Sequence, residues 1–233
     1  MAATTVATLS MNCASRTALA SSKGRFTAPA FSVRRSKPAM VNNRRVSSVR
    51  VSAQVGLFFS TTTGNTEEVA DLLKSELDES VTDPADIGDL DGVSSLADFD
   101  GLIVGAPTWN TGADEMRSGT AWDDVLEEIA GLDLSGKKVA VFGCGDSGSY
   151  TDYFCDAIEE VYSTFKSAGA DMVGHFDCEG YEFEESKSCV GGPNNSGDAD
   201  KLLGLAIDVE NQADMTEDRV ASWATQLKSE MSL

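Results

Sequence analysis

Five hydroxyl side chains surround one glycine in Ser60-Thr61-Thr62-Thr63-Gly64-Asn65-Thr66, between an apolar run at 55–59 and an amphipathic run at 69–77. That order predicts strand, turn and helix N-terminus. The free N–H groups and dipole of a helix start favour an anion, and the hydroxyls add further donors. The lysine of a nucleoside-triphosphate P-loop is missing, and the first base downstream is Lys74. Hydroxyls and backbone N–H groups alone suit one phosphate monoester better than a triphosphate. The alternative is a threonine-rich turn with an ordinary N-cap.

Two further loops follow apolar runs. In Pro107-Thr108-Trp109-Asn110-Thr111-Gly112, a Trp just past a strand end is poorly placed for a core and well placed to cover a planar ring. A Trp capping the sheet edge is the plainer reading. Gly143-Cys144-Gly145-Asp146-Ser147-Gly148 leads to Tyr150, with Tyr153 one helical turn on. Tyr150 is either a second aromatic wall or a residue packing a helix start. Gly143, Gly145 and Gly148 match G-x-G-x-x-G, but no acid ends a strand about 20 residues on, as a dinucleotide site requires. A glycine turn aiming backbone N–H groups at a ring edge fits better.

The elements that must position these loops are legible as apolar periodicity. Strands are expected at 99–106, where Pro107 stops the run, at 137–142 and at 171–176, with a weak edge strand over 81–87 around Pro84. Helices are expected at 122–129, 152–166 and 216–227. Their inward faces are Trp122, Val125, Leu126 and Ile129, then Phe154, Ile158, Val161 and Phe165, then Val220, Trp223 and Leu227. Strands alternating with helices predict an α/β doubly wound parallel sheet with helices on both faces. Right-handed crossovers bring the three loops to the carboxyl edge, where such sheets bind ligands.

Residues 1–53 contain no acid and nine bases, in a background of Ala, Ser, Thr and Val. This reads as an organelle transit peptide, with processing near Val51-Ser52-Ala53. A basic tail for nucleic acid or lipid is the alternative, weakened by the dispersion of the bases. The remainder, 54–233, holds nine bases against 38 acids, a balance of −29. Nucleic acid is excluded as a ligand, and a basic docking surface on a partner is implied unless the charge serves solubility alone. No run approaches membrane-spanning length, so membrane insertion is not expected. Cys144, Cys155, Cys178 and Cys189 form no C-x-x-C pair and accompany a single histidine, His175. No metal site follows, and reduced thiols are expected, with a Cys178–Cys189 disulfide as the alternative.

With the three motifs in this order, 54–233 resembles a flavodoxin. Ser60 to Glu67 resembles that family's FMN phosphate loop. Pro107, Thr108, Trp109, Asn110, Thr111 and Gly112 resemble its first ring-stacking loop. Cys144, Gly145 and Asp146 through Tyr150, then Tyr153 and Cys155, resemble its second, with Tyr150 as the stacking tyrosine. The resemblance implies five parallel strands in the order 2-1-3-4-5, a monomer, and tight noncovalent FMN shuttling one electron between semiquinone and hydroquinone. The stretch near 178–210 looks like the loop that interrupts the last strand of long-chain members. Flavodoxin is itself a standard example of the ligand-placement rule, so that placement is borrowed from the rule. Photosynthetic members connect photosystem I to ferredoxin–NADP reductase, which with the leader implies the chloroplast stroma. Residues 113–121, holding Met116 and Arg117, look longer than in close relatives, and 191–196 looks like an addition. At Cys144 and Cys155 other side chains are commoner, so mainly backbone contacts are expected. An FMN-dependent quinone reductase would need room for a nicotinamide that Trp109 and Tyr150 would fill. A receiver domain would need acids where the first strand ends in hydroxyls.

Overall fold

The structure, a computed structural model, describes residues 54–233. The expected transit segment and Cys13 lie outside the described residues. Strand β1 (Val55–Phe59) is buried throughout, and helix α1 (Asn65–Leu77) follows it. Then come β2 (Ala85–Asp86), β3 (Gly101–Pro107), α2 (Trp122–Ala130), β4 (Lys138–Cys144) and α3 (Ala157–Ser167). The chain closes with β5 (Asp171–Val173), β6 (Phe176–Asp177), β7 (Lys201–Leu202), β8 (Leu205–Ile207) and α4 (Thr216–Met231).

The main sheet is parallel, in the order β2-β1-β3-β4-β5, with β8 also paired to β4. Strand alternation sends side chains into two cores. Val55, Leu57, Phe59, Ile103 and Phe142 pack with α1 and α4, through Leu73, Val220 and Trp223. Phe58, Leu102, Val104 and Val141 pack with α2 and α3, through Trp122, Ile158 and Phe165. Burying each such side chain contributes roughly 1.5–3 kcal/mol, which is why continuous apolar runs become central strands. Trp122 and Trp223 are fully buried, and their indole N–H groups donate to the Gly105 and Gly174 carbonyls.

Five boundaries differ from the sequence expectation. The strand expected over 171–176 stops at Val173, because Gly174 turns with φ +81 against the Trp223 ring. Phe176 and Asp177 then pair antiparallel with β7 in a separate two-stranded sheet. The edge strand resumes only at β8, where Leu205, Ala206 and Ile207 sit beside Phe142, Gly143 and Cys144. The interrupting loop is therefore a built element between two halves of one strand. The helix expected from Asp152 starts at Ala157, because Cys155 adopts φ +54, which no right-handed helix contains. Phe154 is nonetheless buried in the same core as Ile158. Finally, Gly143 and Cys144 belong to β4 and not to a loop, and Pro107 ends β3 from inside it. The weak edge strand shrinks to Ala85–Asp86, just after Pro84.

Candidate functional site

The carboxyl ends of β1, β3, β4 and β8 surround a cleft of about 280 Å³. Its floor is the start of α1. Gly64 occupies the N-cap with φ +97, and the first helical bond runs from the Glu68 N–H to the Gly64 carbonyl. The N–H groups of Asn65, Thr66 and Glu67 therefore have no acceptor within the helix. Thr63, Asn65 and Thr66 line the cleft. The Thr66 hydroxyl is buried and has no hydrogen-bond partner. A buried, unmatched hydroxyl is costly, so its place at a helix N-terminus marks a site shaped for an acceptor. The rest of the hydroxyl loop builds the turn. Ser60 is buried and donates its N–H to the Gly105 carbonyl, while Thr61 accepts the Gly64 N–H on its side chain. Thr62 is exposed and outside the lining. Lys74 is spent at the far end of α1, on the Asp78 and Val81 carbonyls.

One wall comes from the loop after β3. Pro107, Thr108 and Trp109 line the cleft, and Trp109 is 49% exposed, so it caps no core. The Thr108 hydroxyl accepts the Ala157 N–H and so caps α3, tying this wall to the helix behind it. Asn110, Thr111 and Gly112 lie off the lining, and Asn110 donates its side-chain amide to the Met116 carbonyl.

The other wall is Cys144, Gly145, Asp146 and Tyr150, with Tyr150 50% exposed. Tyr153 lies outside the cleft, its ring against Gly112, and so joins the two loops instead of lining the site. Cys155 is fully buried beneath Gly145 and is not part of the lining. In the glycine turn, three N–H groups are engaged within the protein: Gly145 donates to the Ile207 carbonyl, Ser147 to Asp208 and Ser149 to Asp146. Gly148 leaves room for the Asn211 side chain, so the G-x-G-x-x-G match reflects packing.

Sequence reasoning missed Val209 and Glu210, which complete the lining from the loop after β8. Their organiser is Asp208, fully buried at that strand's end. Its carboxylate accepts the Ser147 N–H and hydroxyl, the Glu210 and Asn211 N–H groups, and the Asn211 side chain. One signal was available: an acid directly ending an apolar run, followed by Asn211 and Gln212.

No base lines the cleft, and two acids do, Asp146 and Glu210. Burial opposes the charge on Asp146, but hydrogen bonds from Asn211 and Ser149 outweigh it and hold the carboxyl below its ordinary range. Burial pushes the Cys144 thiol up to about 12, so Cys144 is a neutral wall group at physiological pH. All four described cysteines are unpaired and buried, and burial raises Cys178 and Cys189 to about 11. No His, Cys, Asp and Glu grouping suited to a metal occurs among the described residues.

Fold and cleft together define a doubly wound α/β protein whose site sets a helix N-terminus and a partnerless hydroxyl beside two half-exposed aromatic rings. The flavodoxin family model matches residues 57–223. The chain is 39% identical over 183 residues to the flavodoxin of Nostoc sp., covering 78% of this chain and all of the relative. It is 41% identical over 182 residues to that of Synechococcus elongatus, covering 78% and 99%. Among solved structures, Fusobacterium nucleatum flavodoxin bound to flavin mononucleotide superposes with a TM-score of 0.66 at 28% identity, covering 76% of this chain and 98% of that one. The chain belongs to the flavodoxin family.

Proposed function

We propose that this protein is a low-potential one-electron carrier, not an enzyme, and that it holds FMN noncovalently in this cleft. The observation that carries the reading is the partnerless Thr66 hydroxyl at the α1 N-terminus, in one cleft with two half-exposed aromatic side chains. Thr63, Asn65 and Thr66 would hold the phosphate, and Trp109 and Tyr150 would flank the ring. Bound there, FMN supplies one-electron redox chemistry. The chain contributes three things: it orients the ring, it excludes water from it, and through Asp146 and Glu210 it disfavours added negative charge. The last effect makes the reduced protein a strong reductant. A stepwise reductive titration of FMN-loaded protein is expected to resolve two separate one-electron steps. A single two-electron step would refute the carrier reading.

We further propose a long-chain flavodoxin that works in the chloroplast stroma between photosystem I and ferredoxin–NADP reductase, in place of ferredoxin. The acid-free leader supports plastid import, and the −29 balance of 54–233 suits basic docking surfaces. The loop between the two halves of the fifth strand supports the long-chain assignment. Stromal protein is expected to begin downstream of Arg44. In that form it should accept electrons from illuminated photosystem I at a rate that falls at high ionic strength, after any intermediate optimum. Salt-independent transfer, or an intact leader in the stroma, would defeat this assignment.

A further inference from the structure

We propose that Arg117 and Glu160 form a latch that positions the Trp109 wall of the site. The inference rests on the FMN reading for its consequence and on the geometry of this chain for its mechanism. The segment between Gly112 and α2 folds back against Trp109. The Arg117 carbonyl accepts the N–H groups of both Trp109 (3.2 Å) and Asn110 (3.1 Å). Asn110 returns a bond from its side-chain amide to the Met116 carbonyl. Gly119 sits so close that a Cβ there would lie 2.7 Å from the Trp109 Cβ.

This fold-back is held to α3 through both backbone and side chain. Glu160 spreads its two carboxylate oxygens over the Met116 and Arg117 N–H groups, each at 2.7 Å. The Arg117 guanidinium is buried and donates to the Glu159 carboxylate at 2.6 Å, to the Asp156 carbonyl at 3.1 Å and to the Asp114 carbonyl at 3.0 Å. Its Nε finds no partner. Met116 adopts φ +59, a left-handed conformation that a side-chain-bearing residue keeps only where surrounding bonds impose it. A surface loop with no positioning role needs neither a buried Arg nor a strained residue. Here both converge on the two amides that carry Trp109 and Asn110. The stretch that looks longer than in close relatives, 113–121, holds the Met116 and Arg117 that make the connection.

Arg117 and Glu160 are positioning residues, since neither lines the cleft. The test is amide hydrogen exchange on the apo-protein, with FMN and riboflavin titrations, for wild type, Arg117→Ala, Glu160→Gln and Arg117→Lys. In Arg117→Ala the amides of Trp109, Asn110 and Met116, and the amide at position 117 itself, should exchange about tenfold faster, with core amides such as Val104 unchanged. FMN and riboflavin should lose affinity by the same factor, because the wall meets the ring and not the phosphate. Glu160→Gln keeps one acceptor and should fall between wild type and Arg117→Ala. Arg117→Lys keeps the charge but not the fork, and should recover part of the loss. Unchanged exchange at those amides would overturn the latch. Equal loosening of core amides would also overturn it, by reducing it to general stability. Wild-type protein that binds neither flavin would remove the FMN reading, while the exchange data would still decide the latch.

Discussion

Thr66→Val is expected to weaken FMN binding about 10- to 150-fold, since a hydrogen bond to a charged group contributes roughly 1.5–3 kcal/mol. Riboflavin, which lacks the phosphate, should bind the variant almost as it binds wild type. Adding Thr63→Val should bring the loss to about 10²–10⁴-fold, if the two hydroxyls act independently. The effect is large because the pocket has no cation to share the work: its lining carries no Lys or Arg, and Lys74 is engaged elsewhere. The apo-protein should respond in the opposite direction. The Thr66 hydroxyl is buried without a partner, so an isosteric methyl removes an unmet polar group and should leave apo stability unchanged or slightly higher. Isothermal titration with both ligands, beside denaturant unfolding of the apo-protein, reads both signs. Equal losses for FMN and riboflavin would place the phosphate elsewhere.

Asp208→Ala is expected to destabilise the protein by roughly 3 kcal/mol, the scale for breaking a buried hydrogen-bond network. For a domain of this size that lowers Tm by about 6–12 °C. The carboxylate is fully buried and satisfies donors from Ser147, Glu210 and Asn211. Without it, the turn after β4 and the turn after β8 lose their common anchor. Tyr150 and Asp146 stand on the first, Val209 and Glu210 on the second. Flavin affinity should therefore fall with stability, for FMN and riboflavin alike, unlike the selective loss in Thr66→Val. Asp208→Asn keeps one acceptor oxygen but presents an N–H₂ group to donors, so it should fall between wild type and Ala. Thermal unfolding and flavin titration of both variants check this, and a Tm within about a degree of wild type for Asp208→Ala would refute the anchoring role.

How much of the site was legible depends on how far apart its partners lie in the chain. The hydroxyl loop was readable as a strand–turn–helix start because those elements are contiguous, and the hydroxyls sit at the helix start itself. Trp109 and Tyr150 were readable because a large aromatic just beyond a strand end has no core to enter. Tyr153, one helical turn on from Tyr150 by spacing, lies with its ring against Gly112, and the left-handed Cys155 just after it delays α3. Periodicity carries no sign of a single residue with positive φ unless it is glycine.

The sequence by itself determined the alternation of apolar strands and amphipathic helices, the three loops at their carboxyl ends, and the absence of a cation from the anion loop. These are local properties, set by side-chain period, helix-end chemistry and composition within a short window. Tertiary structure alone decided which groups hold those loops in place. Ser147 meets Asp208 across 61 positions, and Arg117 meets Glu160 across 43. It also set the register in which β5 and β8 share the edge of β4, while the interruption itself was what the family resemblance implied. A hydrogen bond or a strand pairing between distant segments depends on where the whole sheet brings them, and no window of sequence contains that distance.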